Sequence, residues 1–177
     1  MSKEDHPKKE EQNNREGLSD GGMAELYEKM SRIFQEKLQK TGEVTEEVFE
    51  KALHESREWG EKLKEHYSED VARVTESIRR DWLNAINYTR EQTKRSFDLD
   101  RMQAGVLGFI SMLAKSAGSQ LEHFADRINE RLTYKTGEIA GSGNLECGQC
   151  GQQLSFDHAT RVPPCPKCRG TVFKRVF

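Results

Sequence analysis

From Met23 the chain alternates apolar and charged positions with a helical period: Met23, Leu26, Tyr27, Met30, Ile33, Phe34 and Leu38 recur at spacings of three and four. This predicts a helix over about 23–40, ended by Lys40–Thr41–Gly42. Thr45 then caps a second helix with Glu46 and Glu47 in its first turn. Its stripe begins at Val48, Phe49, Ala52 and Leu53 and continues through Leu63, Tyr67, Val71, Val74, Ile78, Trp82 and Ile86. The pattern predicts helix over about 45–95, with Gly60 and Ser68–Glu69–Asp70 as the points where a kink or a new cap fits. Phe97–Asp98–Leu99–Asp100 reads as a turn. A third helix is predicted over 100–133 from Met102, Val106, Ile110, Leu113, Ala117, Leu121, Phe124, Ile128 and Leu132. Short connections make these helices antiparallel neighbours, a long hairpin or coiled-coil rod.

Residues 1–22 hold six Asp/Glu, four Lys/Arg and almost nothing apolar, so they are expected to be a disordered tail. After Ile139 the period changes. Leu145, Leu154–Phe156, Val162 and Thr171–Phe173 read as short strands, so 140–177 is expected to form a small β unit. The fold class is therefore mostly α, a helical body over 23–139 followed by a β module. Lys40–Thr–Gly–Glu–Val44 recurs as Lys135–Thr–Gly–Glu–Ile139, and helix termination is the expected role of both copies.

Composition narrows the class. Hydrophobic residues make up 34% and charged residues 33%, which suits long solvated helices better than one large core. The formal net charge of −2 gives no general attraction to nucleic acid. Residues 140–177 carry five Lys/Arg against two Asp/Glu, too few cations for tight duplex binding once thiolates around a metal are counted. No apolar run approaches the ~20 residues of a membrane span, and nothing at the N-terminus looks like a secretory signal. A cytoplasmic protein is expected. Met102–Ala114 contains no charged residue, and one partner helix cannot cover it on every side. It is the expected site of homodimerisation or of a protein partner.

The chemistry sits in the four cysteines. Cys147–Gly–Gln–Cys150 and Cys165–Pro–Lys–Cys168 are two Cys-x-x-Cys turns separated by fourteen residues. Two such turns facing each other supply the four sulfurs of a closed tetrahedral site, which favours one structural Zn²⁺. Gly151 is placed where a residue able to take φ > 0 lets the backbone turn toward the sulfurs. A rubredoxin-like iron site with the same ligands is the main alternative, and it would make the protein an electron carrier. His158, between the two turns, is a loop residue once all four positions are filled. A disulfide is disfavoured in a reducing compartment. None of His6, His54, His66, His123 and His158 has a glutamate three residues before it, which argues against a di-iron helical bundle. No triad, phosphate loop or carboxylate pair emerges, so an enzyme is not expected.

Tyr134–Lys–Thr–Gly–Glu–Ile–Ala–Gly–Ser–Gly–Asn–Leu–Glu–Cys147, followed by Cys150 and Pro164–Cys–Pro–Lys–Cys168, resembles a bacterial zinc-ribbon-containing family typified by YbeL. The resemblance implies a helical body with a C-terminal zinc ribbon, ligated by Cys147, Cys150, Cys165 and Cys168, without an assigned biochemical activity. The expected role is that of a protein-interaction or regulatory module. In layout alone the chain also resembles the DksA/TraR regulators, which would place Asp98 and Asp100 at a hairpin tip contacting RNA polymerase.

Overall fold

The computed structural model describes residues 17–41, 44–63, 67–93 and 132–177, with side chains along the last of these helices described as far as Tyr88. Helix α1 spans Asp20–Thr41, α2 Glu46–Leu63 and α3 Ser68–Thr93. The strands are β1 Thr133–Lys135, β2 Ile139–Ala140, β3 Gly143–Cys147, β4 Gln153–Phe156, β5 Thr160–Arg161 and β6 Val172–Val176.

α1 starts earlier than its apolar stripe does. Ser19 caps it: its hydroxyl accepts the Gly22 N–H at 3.3 Å and its carbonyl accepts the Met23 N–H at 2.8 Å. The Leu18 N–H donates to the Asp70 carboxylate at 2.6 Å, anchoring the chain before the cap to the first turn of α3. Residues 17–22 of the expected tail are therefore part of the fold, because a side-chain cap offsets the poor helix propensity of Gly21 and Gly22, and the expectation for 1–16 lies outside the described residues. α2 is capped as its sequence predicts, with the Thr45 hydroxyl accepting the Val48 N–H at 3.3 Å.

The stretch 45–95 is not one rod. α2 ends at Leu63 and α3 begins anew at Ser68, with the Tyr67 carbonyl taking the first helical bond from Val71 at 3.0 Å. Arg79 on α3 binds Glu50 on α2, which sets the two antiparallel. Lys37 and Glu55, 2.5 Å apart, join α1 to α2. Contacts of Leu18 with Asp70 and of Tyr27 with Asp81 run α1 parallel to α3. The result is an up-down-up three-helix bundle. In a rod each stripe would have one neighbour, whereas here Met30, Phe34, Phe49, Leu53, Val74 and Ile78 bury together in a single core. The Ser56 hydroxyl is satisfied inside that core by the Met30 carbonyl at 2.7 Å.

The third predicted helix, 100–133, lies outside the described residues except at its end, and so do Asp98, Asp100 and the Met102–Ala114 stretch. At that end the expectation fails. Thr133 opens β1, pairing with Lys174 on β6, so the β unit begins at 133 rather than 140. The second Lys–Thr–Gly–Glu copy is accordingly not a helix end. It is the turn from β1 to β2, closed by the Lys135 N–H, which donates to the Glu138 carboxylate at 2.8 Å. In the first copy α1 ends at Thr41, as expected.

The β unit has a four-stranded antiparallel sheet in the order β1-β6-β3-β4, and β2 pairs with β5 separately. Its own core holds Tyr134, Ala140, Leu145, Val162 and Phe173 with the first cysteine of each pair. Leu132, Ile139 and Ala159 instead pack into the helical core, so the two parts share apolar contacts. Among the described residues no helix is long and apolar enough to cross a membrane.

Candidate metal centre and its mounting

Each knuckle is a tight turn leaving a strand or entering one. β3 ends at Cys147, and the Gly151 N–H returns to the Cys147 carbonyl at 2.9 Å with Gly151 at φ 70°. The second knuckle repeats this: the Arg169 N–H donates to the Cys165 carbonyl at 2.8 Å, with Arg169 at φ 60°. The left-handed residue after the first pair is the glycine that the sequence indicates. In the second it is an arginine, which no glycine search would find. The Gly170 N–H also points at the Cys168 sulfur from 3.4 Å. An L-residue held at this φ costs roughly 1–2 kcal/mol. Arg169→Gly is therefore expected to stabilise the ribbon by about 0.5–1 kcal/mol, seen as a higher melting temperature of the metal-loaded protein. A lower one would show that the arginine side chain contributes more than its backbone strain.

The turns bring the sulfurs of Cys147, Cys150, Cys165 and Cys168 within 4.8 Å of one another. Cys147 and Cys168 are 3.6 Å apart, as are Cys150 and Cys165. With Zn–S bonds of about 2.3 Å, sulfurs at the corners of a tetrahedron lie about 3.8 Å apart. The donor set fits zinc. Burial raises the Cys165 thiol, but the backbone N–H groups of Cys168 and Lys167 outweigh it and bring it down to about 6. For Cys168 the Gly170 N–H pulls downward, yet the neighbouring Cys150 sulfur, burial, and the Cys147 and Cys165 sulfurs push it up to about 12. Four sulfurs this close cannot all ionise at neutral pH unless a cation sits among them. The first cysteine of each pair is buried and the second is nearer the surface. His158 is exposed and outside the sulfur cluster.

A second constellation lies where the ribbon meets the helices. Asp81 on α3 accepts hydrogen bonds from the hydroxyls of Tyr27 and Tyr134, from the Gly141 N–H at 2.7 Å and from Arg175 at 3.0 Å. Arg175 also reaches the Tyr134 oxygen at 2.9 Å and the Ser142 carbonyl at 2.8 Å. Its guanidinium and that of Arg80 each lie 5.2 Å from the Tyr134 ring centroid. Asp81 and Arg175 are only 10% and 6% exposed, so this is an enclosed ion pair with its lone pairs used. A Cβ on Gly141 would meet the Tyr27 oxygen at 2.5 Å, and only glycine fits there. Burial and then the Asp81 charge hold both tyrosines far above the ordinary phenol range. Burial alone would lower Arg175, but Asp81 and Tyr134 outweigh it. The sequence does carry a signal for Asp81: it stands three residues after Ile78 and seven after Val74, a charge at a core-facing position.

Two Cys-x-x-Cys knuckles on a small antiparallel sheet define a zinc ribbon, here docked on a helical bundle. The chain matches the family described as a zinc-ribbon containing domain over residues 36–177, and it belongs to that family. No curated protein and no solved structure matches it.

Proposed function

We propose that this protein is a zinc-binding interaction module in which one structural Zn²⁺ holds the ribbon and the helical bundle presents it to a protein partner. The observation that carries the reading is the closed set of four sulfurs. With four protein ligands the metal has no position left for water or substrate, which favours a structural over a catalytic role. Four cysteines gathered as one metal-ligand set suit a reducing compartment, in keeping with a cytoplasmic location. Weak positive charge on the ribbon favours a protein partner over a nucleic acid. Self-association through Met102–Ala114 belongs to the same reading. Protein purified from its native cells should carry one zinc per chain and little iron. A red preparation with stoichiometric iron and thiolate-to-iron absorption would replace this reading with electron transfer.

A further inference from the structure

The strand that leaves the second knuckle is also the strand that reaches the helices. β6 starts beside the cage, where the Gly148 N–H donates to the Val172 carbonyl at 2.9 Å. Its Phe173 is paired across the ladder with Cys147, and Arg175 with Leu145. Two residues beyond Phe173, Arg175 is held in the enclosed ion pair with Asp81. Gly141 and Ser142, whose carbonyls also bind Arg175, lead directly into β3 and so to Cys147. Both strands that carry or flank the metal cage are thus fixed at their far ends by one carboxylate on α3.

We propose that Asp81 is a positioning residue for the metal centre, fixing β6 and the entry to β3 through Arg175 and the Gly141 N–H so that zinc affinity and ribbon docking are one linked equilibrium. Zinc binds the folded cage, and the Asp81 network binds the same folded strands. Each must then strengthen the other by an equal factor. With the metal gone, β6 loses its hold near the cage and Asp81 loses the ribbon donors that enclose it, which loosens the α1–α3 face as well.

This rests on the zinc reading, whose own failure would show separately as no zinc uptake by the wild-type chain. The test uses the full chain in competition with a chromophoric zinc chelator. Asp81→Asn keeps the shape but removes the charge, and it is expected to weaken zinc affinity by roughly ten- to a hundredfold, the range for losing one charged hydrogen-bond partner. Tyr27→Phe removes one donor to Asp81 and no charge, so it keeps the test open if Asp81→Asn does not fold, and a several-fold loss is expected. Phe49→Leu, in the helical core away from the junction, should leave zinc affinity within about twofold, since the bundle stays folded. The combined variant D81N/R175M, with both charges gone, should bind zinc more tightly than the two single losses together predict. Hydrogen exchange adds a second readout: chelation should raise exchange in α1 near Tyr27 and in α3 near Asp81, and less so in Asp81→Asn. Wild-type affinity in both Asp81→Asn and Tyr27→Phe would overturn the proposal. So would strictly additive losses in the double variant, or a Phe49→Leu loss as large as that of Asp81→Asn.

Discussion

Cys165→Ser is expected to unfold the ribbon from Thr133 onward and to lower the melting temperature of the helices as well. Cys165 is buried in the ribbon core beside Tyr134, Leu145 and Phe173. A serine hydroxyl is a poor zinc ligand, and structural zinc sites of this kind supply about 10–16 kcal/mol of apparent binding free energy. A unit of this size cannot replace that by apolar burial. The helices keep their own core, so most far-ultraviolet helical signal should survive at room temperature. They do not keep everything. Leu132, Ile139 and Ala159 leave that core, and Asp81 loses Arg175, Tyr134 and Gly141 together. A loss of about 2–3 kcal/mol at the junction corresponds to a fall on the order of 10–20 °C in the transition of a helical unit this small. Circular dichroism melts of wild type and variant check this, and an unchanged helical transition would show that the bundle gains nothing from the ribbon.

What the sequence makes plain here is whatever depends on neighbours in the chain. The metal set is legible because each knuckle is four residues long and its two sulfurs lie on one turn, so spacing alone places them. The caps at Thr45 and the buried faces of α1 and α2 are legible for the same reason. Most of the misses involve partners distant in the chain. The new helix start at Ser68 is legible as a cap, but that the chain folds back there depends on what Leu53 and Val74 can share with α1, which no local pattern encodes. The onset of β1 at Thr133 depends on pairing with β6, some forty residues later. The Lys–Thr–Gly–Glu repeat is locally identical but sits between two helices in one copy and two strands in the other. Asp81 shows itself only as a charge in an apolar stripe, and its meaning comes from Arg175, far along the chain. Arg169 hides its left-handed backbone behind a residue type that rarely adopts it.

Phe34→Ala should be among the most destabilising single changes in the helical bundle, and it also distinguishes the bundle from a rod. Phe34 is fully buried on α1 and makes edge-on contacts with Phe49 of α2 and Trp82 of α3, each with ring centroids 5.1 Å apart. Phe34 thus touches an aromatic ring on each of the other two helices. Truncation removes the transferred apolar surface and leaves a cavity, a loss of about 3–5 kcal/mol. That is a large share of the roughly 5–15 kcal/mol available to a folded domain. Urea unfolding followed by tryptophan fluorescence should show a lower midpoint with an unchanged slope, and a loss below about 1 kcal/mol would contradict this packing. The pairing with Trp82 carries the sharper test. If 45–95 were one straight helix, Phe49 and Trp82 would lie about 50 Å apart and could not both touch Phe34. Phe34→Ala and Trp82→Ala would then add. In the bundle they share a contact, so the double variant should fall short of additivity by about 0.5–1.5 kcal/mol.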